Sequence, residues 1–227
     1  DIWNTLHKLL AQTKNSIRTP LMSILVESAY GSGKTALCAK LASESEFPFV
    51  RMISADKMVG LSENQKCAEL LKIFKDSYTS PLSVIFIDDI ERIIEFTPVG
   101  PRFSNSILQT LLLLLRKVPP SPSRLMIIAT TAISHLLDDL QLIHAFNIQV
   151  RTKMLQHPDE ISKVLHMYAD NEIDDTEITK ISHSIPIPIS IKKLLMFLEM
   201  TRCNLDDNQC HQIIANDFIE CINVSNT

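Results

Sequence analysis

The sequence predicts an α/β fold: a five-stranded parallel sheet wrapped by helices, followed by a small all-helical subdomain. Three observations carry that expectation. Short β-branched, apolar runs alternate with helical patterns through the first 152 residues. A run resembling a phosphate-cradling loop stands between the first such strand and the helix after it. Beyond residue 152 the periodicity is helical throughout. The expected boundary therefore divides residues 1–152 from residues 153–227.

The strands are expected at "SILVE" (23–27), "FPFVRMI" (47–53), "SVIFID" (83–88), "RLMIIAT" (124–130) and "FNIQVRT" (146–152). Most are nearly continuous in hydrophobicity, as strands covered on both faces must be. "TALCAKLAS" supplies a helix after the first strand. Ser62 and Gln65 form a capping box, and Cys67, Leu70, Leu71, Phe74 and Tyr78 then keep helical spacing along one face. A further helix from about Ser104 to Lys117 is stopped by Pro119-Pro120. Past His157-Pro158, helical spacing joins Ile161, Val164, Leu165 and Tyr168, then Ile178 and Ile181, then "IKKLLMFLEM", then Ile213, Ile214, Phe218 and Ile222, interrupted by the prolines of "SIPIPIS".

Composition narrows the function classes. The chain has 227 residues, 45% hydrophobic and 21% charged, enough to bury a sizeable core. Its formal net charge of -4 gives no overall pull toward nucleic acid. Cys38, Cys67, Cys203, Cys210 and Cys221 are odd in number and form no C-x-x-C pair, which points to structural thiols in a reducing compartment. The seven histidines form no H-E-x-x-H pattern. "ILQTLLLLLRK" falls short of the roughly 18–20 apolar residues that a membrane span needs, and is expected as a buried helix. The start at Asp1-Ile2-Trp3, without Met, suggests a piece of a longer protein.

The chemistry concentrates in "SAYGSGKT", residues 28–35, which matches G-x-x-x-x-G-K-[ST] except that Ser28 replaces the first glycine. After a strand and before a helix, the backbone N-H groups of Ser28, Ala29, Tyr30, Gly31, Ser32, Gly33, Lys34, Thr35 and Ala36, with the positive helix end, can surround a polyphosphate. Lys34 would reach the terminal phosphates and Thr35 would offer its hydroxyl to Mg2+. If position 28 requires a left-handed backbone, Ser28 costs roughly 1–2 kcal/mol, which weakens the site without abolishing it. The partner of such a loop is an acidic residue ending a neighbouring strand, and "SVIFIDD" supplies Asp88 for Mg2+, partly through water, and Asp89 beside it. Lys192 and Lys193 stand in the first turn of a helix, where the dipole disfavours cations. Either an anion lies nearby or these are surface lysines.

On these residues the chain resembles the AAA+ ATPases, and within them the second ATPase domain of the N-ethylmaleimide-sensitive fusion factor family. The blocks that carry the resemblance are "QTKNSIRTPL", "SGKTALCAKLA", "FPFVRMISADKMVGLSE", "FIDDIERIIEF", "PVGPRFSN", "VPPSPSRLMIIATT" and "IKKLLMFLEM", spread over residues 11–202. The resemblance implies an ATP-binding α/β subdomain with a helical lid, six copies in a ring with ATP and Mg2+ at each subunit boundary, and a cytoplasmic machine that reaches membranes through SNAP adaptors and dismantles SNARE complexes. It implies that this domain binds ATP mainly to hold the hexamer together. It matches Lys193, with Lys192 as the alternative, to a phosphate-sensing lid lysine, and Arg116 and Arg124 to positions that contact a neighbour's nucleotide.

Several positions depart from the family pattern. Asp89 stands where active sites usually carry Glu, one methylene longer, and a base withdrawn by around an ångström can lose on the order of a hundredfold in rate. "ATTAIS" offers Thr131 to the terminal phosphate, with Ala132 where an Asn aligns. "SHLLDDLQLIHAFNIQ" holds no Arg or Lys to serve as a finger. "KMVG" places Met58, Val59 and Gly60 where threading relatives carry an aromatic pore loop. Slow turnover is therefore expected. A motor using Asp89 as its base is the alternative, and a nucleic-acid factor is disfavoured by the net acidity.

Overall fold

The computed structural model describes residues 2–99, 102–169, 173–204 and 213–224. Two compact units divide the chain: residues 1–28 with 34–152, and residues 29–33 with 153–227. The tip of the 28–35 loop, expected with the first unit, thus groups with the second.

In the first unit, α1 (Ile2–Asn15), β1 (Leu21–Glu27), α2 (Lys34–Glu44), β2 (Phe49–Ile53), α3 (Glu63–Ser77), β3 (Leu82–Ile87), α4 (Ile90–Ile93), α5 (Asn105–Arg116), β4 (Arg124–Thr131), α6 (Ser134–Asp139) and β5 (Ile148–Arg151) follow one another, with short 3-10 turns at Ala55–Met58 and Ile143–Ala145. The five strands form one parallel sheet in the order β2-β3-β4-β1-β5. All five strands were legible as apolar runs, and each lies within about two residues of its expected bounds.

Burial follows the two-residue strand period. Leu25, Ile85, Ile87, Leu125, Ile127 and Ala129 join the core under α3 and α5, whereas Ile24, Val26, Val84, Phe86, Met126 and Ile128 join the opposite core with Leu6, Cys38 and Leu41 of α1 and α2. Each fully buried Leu, Ile or Phe contributes about 1.5–3 kcal/mol of transfer free energy. The leucine block is α5, burying Ile107, Leu108, Leu111, Leu114 and Leu115 while Leu113 stays exposed. Among the described residues no helix is long and apolar enough to cross a membrane.

The capping box forms as the sequence predicts: Ser62 Oγ accepts from Gln65 N, and the Gln65 side chain accepts from Ser62 N. α3 buries Leu70 and Phe74, but Leu71 is about half exposed, so the expected apolar stripe is narrower than its sequence. Gly100 and Pro101 of the "GPRFSN" block lie outside the described residues, as does Cys210.

The second unit contains α7 (Pro158–Tyr168), α8 (Asp175–Ser184), α9 (Ile191–Asn204) and α10 (Ala215–Val224). Their apolar faces share one core through Ile161, Leu165, Ile178, Ile181, Phe197 and Phe218. Glu177 of α8 accepts from Ala215 N at 2.8 Å and thereby satisfies a backbone donor that opens α10.

Candidate nucleotide site

The sheet order sets the site. β4 lies between β1 and β3, so residues ending β4 stand between the loop that leaves β1 and the acidic pair that ends β3. Ile87 is level with Ala129, which brings Thr130 level with Asp88. Thr130 Oγ1 donates to Asp88 Oδ1 at 2.7 Å, and Asp88 Oδ1 also accepts from Thr35 Oγ1 at 2.9 Å. The carboxylate and hydroxyl expected to hold Mg2+ are thus already side by side, with Thr130 fixing the carboxylate.

Lys34 opens α2 almost fully buried, and its Nζ lies 3.7 Å from Asp89 Oδ1. Arg92 Nε is 3.5 Å from the other Asp89 oxygen. Asp89 has φ 46° and ψ 68°, a left-handed conformation that costs a residue with a side chain roughly 1–2 kcal/mol. Its amide donates to Thr130 Oγ1 at 2.9 Å.

The backbone penalty expected at Ser28 does not arise. Positive φ among the described non-glycine residues belongs to Glu46, Asp89, Glu95 and Gln141, and the loop's own positive φ values fall on Gly31 (78°) and Gly33 (88°). The sequence already places glycine where the turn needs it. Ser28 N instead donates to Thr131 O at 3.1 Å.

The residues present fit a polyphosphate. Ser28 Oγ and Ser32 Oγ are buried without a hydrogen-bond partner, the condition in which a buried hydroxyl calls for a ligand or water. Within the second unit, a Cβ on Gly31 would sit 3.0 Å from Ser190 Oγ and 3.2 Å from Lys192 Cβ, so a side chain cannot enter that turn without displacing its neighbours. Ala29, Tyr30 and Ala36 are exposed.

Lys192 and Lys193 are exposed in the first turn of α9. Ser190 Oγ accepts from Lys193 N at 3.2 Å, and Lys192 N donates to Gly31 O at 3.0 Å. Lys193 lines a cavity of about 360 Å³ with Tyr30, Ile187, Ser190 and Phe197.

Other expected positions fall elsewhere. Thr131 is fully buried, its Oγ1 accepting from Ile133 N at 3.1 Å, because the strand pleat turns it away from the face of Thr130. Met58 is buried in the core by its 3-10 turn, while Val59 is 80% exposed, so the "KMVG" loop offers Val59 and not Met58. Arg116 and Arg124 lie at the opposite end of the sheet. Arg124 and Thr131 are the two ends of β4, seven residue steps and about 23 Å apart. Arg124 donates to Lys14 O, and Arg116 lines a cleft of about 380 Å³ with Arg18 and His144 and no carboxylate.

Two contributors escape sequence reasoning. Thr130 is hidden by its likeness to Thr131, and only strand register separates them. Glu91 reads as a solvent-facing helix charge, yet it is 3% exposed. Cys38, one turn into α2, is held by burial and the Asp88 charge at a pKa of about 12, despite Lys34.

The comparisons with known proteins agree with this geometry. The family model described as "ATPase family associated with various cellular activities (AAA)" matches residues 24–154, more than half of the chain. The chain is 38% identical over 205 residues to "Vesicular-fusion protein sec18" of Schizosaccharomyces pombe, covering 88% of this chain and 26% of that protein. It is 37% identical over 223 residues to "Vesicle-fusing ATPase" of Arabidopsis thaliana, covering 94% and 29%. It thus spans between a quarter and a third of the length of these relatives. In fold it resembles the FIGL-1 AAA domain, with TM-score 0.75 at 18% identity, covering 97% of this chain and 78% of that one. The chain belongs to the AAA ATPase family.

Proposed function

We propose that the chain binds Mg-ATP and uses it chiefly to hold six copies in a ring, with slow hydrolysis, as one domain of a larger cytoplasmic ATPase that disassembles SNARE complexes in vesicle traffic. The observation that carries the reading is the contrast between the two ends of the sheet. At one end, Lys34, Thr35 and Asp88 are assembled with Ser28, whose buried hydroxyl has no hydrogen-bond partner. At the other end stand Arg116 and Arg124, too far from that loop to serve it within one chain. A cation there reaches a nucleotide only on another copy, which makes the ligand a joint between copies.

When bound, Mg-ATP supplies the phosphate whose transfer to water is the reaction. Lys34 would face the terminal phosphates, Thr35 and Asp88 would hold the metal, and Lys192 and Lys193 of the lid would add positive charge. Asp89 is the nearest carboxylate able to orient water. It is short and drawn toward Lys34 and Arg92, and residues 134–149 hold no Arg or Lys for the transition state. Slow turnover follows. The names of the relatives support a vesicle-fusion setting, and adaptors and SNARE complexes would be bound by other parts of the full protein.

A second reading, a motor with Asp89 as base, draws support from the strained Asp89 backbone, because such strain collects at functional positions. Single-turnover hydrolysis by the assembled protein separates the two. A rate near one per second or faster that Asp89→Asn abolishes selects the motor; a rate far below it supports the proposal.

A further inference from the structure

We infer that Glu91 is a positioning residue for the nucleotide site: through the backbone of Ala132 it holds the turn that presents Asp89. The inference rests on the reading of Asp89 as the carboxylate that orients water.

Glu91 lies two residues after Asp89, on α4, and is 3% exposed. One carboxylate oxygen accepts from Ala132 N at 2.9 Å, and the other is buried with no hydrogen-bond partner. A carboxylate in that state is expensive, and a methionine of similar volume would pack there without the penalty. Its presence at that cost points to the bond it makes.

That bond completes a set of three side-chain ties between the β3–α4 turn and the end of β4. Thr130 Oγ1 holds Asp88 Oδ1 at 2.7 Å and accepts from Asp89 N at 2.9 Å, and Glu91 then reaches past both to Ala132 N. Asp89 is the residue between these anchors, and it is the one with positive φ. A left-handed Asp relaxes unless its surroundings over-determine it. Thr130 fixes its amide side and Glu91 fixes the helical turn that follows. The same bond steadies the start of the loop after β4, where Ala132 has no polar side chain to anchor itself.

The test compares Glu91→Gln, which keeps an oxygen able to accept from Ala132 N, with Glu91→Met, which fills the space without an acceptor. Three quantities are read: amide hydrogen exchange in segments 88–92 and 130–134, Mg-ATP affinity with a fluorescent analogue, and the single-turnover hydrolysis rate. Glu91→Met is expected to speed exchange in both segments and slow hydrolysis at least tenfold, with Mg-ATP affinity within threefold of the parent. Glu91→Gln is expected to restore both exchange and rate to within about threefold. Exchange unchanged in Glu91→Met overturns the inference, and so does a Glu91→Gln protein as slow as Glu91→Met, since the carboxylate charge and not the tie would then matter. If Asp89→Asn leaves the parent rate unchanged, the reading of Asp89 fails, and the exchange data still decide whether Glu91 holds the turn.

Discussion

Under the proposed function, Lys34 would carry both binding and assembly. It is buried at the start of α2 with Asp89 as a charged neighbour, and its removal strips the loop of its cation and leaves Asp89 with the more exposed Arg92 as its charged neighbour. Lys34→Ala is expected to weaken Mg-ATP binding by at least about 100-fold, readable by calorimetry, and to abolish assembly with it. Cys38 offers a separate check. Burial and the Asp88 charge hold its thiol at about pKa 12 against an ordinary 9.0, so the folded state keeps a proton that the unfolded chain releases. Its stabilising contribution is complete below about pH 9 and is lost as pH rises from there toward 12. Thermal unfolding followed from pH 8 to 11 should show Tm falling, and Cys38→Ala should flatten that fall. The same burial keeps the thiol unreactive toward alkylating reagents in the native protein at pH 7. The sequence made Lys34, Thr35, Asp88 and Asp89 legible because their chemistry lies in short, ordered motifs. It hid Thr130 and Glu91 because their roles depend on strand register and on burial, neither of which a local pattern encodes.

At the scale of elements, the α3 cap and the phosphate loop make contrasting cases. Ser62 satisfies the Gln65 amide, and Ser62→Ala is expected to destabilise the protein by about 1 kcal/mol while nucleotide affinity stays unchanged, as urea unfolding and titration would show. Gly31 is constrained twice, by φ of 78° and by Ser190 and Lys192 within 3.2 Å of any added Cβ. Gly31→Ala therefore pays roughly 1–2 kcal/mol of backbone strain and displaces its neighbours as well. It should lower nucleotide affinity about tenfold or more, whereas Ser28→Gly should change it little, since position 28 needs no left-handed backbone. The strands were legible because burial on both faces leaves a continuous apolar signature, whereas the six residues of α6 are too few to show a helical period. α1 does carry helical spacing, in Ile2, Trp3, Leu6, Leu9 and Leu10, but the expected elements began only at residue 23.

For the whole molecule, the sheet separates two chemistries by the length of a strand. Its carboxyl end gathers the groups that would grip Mg-ATP, and its amino end carries Arg116, Arg124 and the acid-free cleft beside Arg18 and His144. Under the proposed function, one copy alone would leave each half without its counterpart, and a ring of closed symmetry would pair every loop with a neighbour's arginines. The change of periodicity near residue 152 is the sequence feature behind the expected division into an α/β part and a helical part, while the grouping of residues 29–33 with the helical unit depends on tertiary packing. The most direct measurement is sedimentation equilibrium of the protein stripped of nucleotide and again with saturating Mg-ATP. The account predicts a single chain of 25.7 kDa in the first case and a particle of about six times that mass in the second. The same mass under both conditions would contradict it.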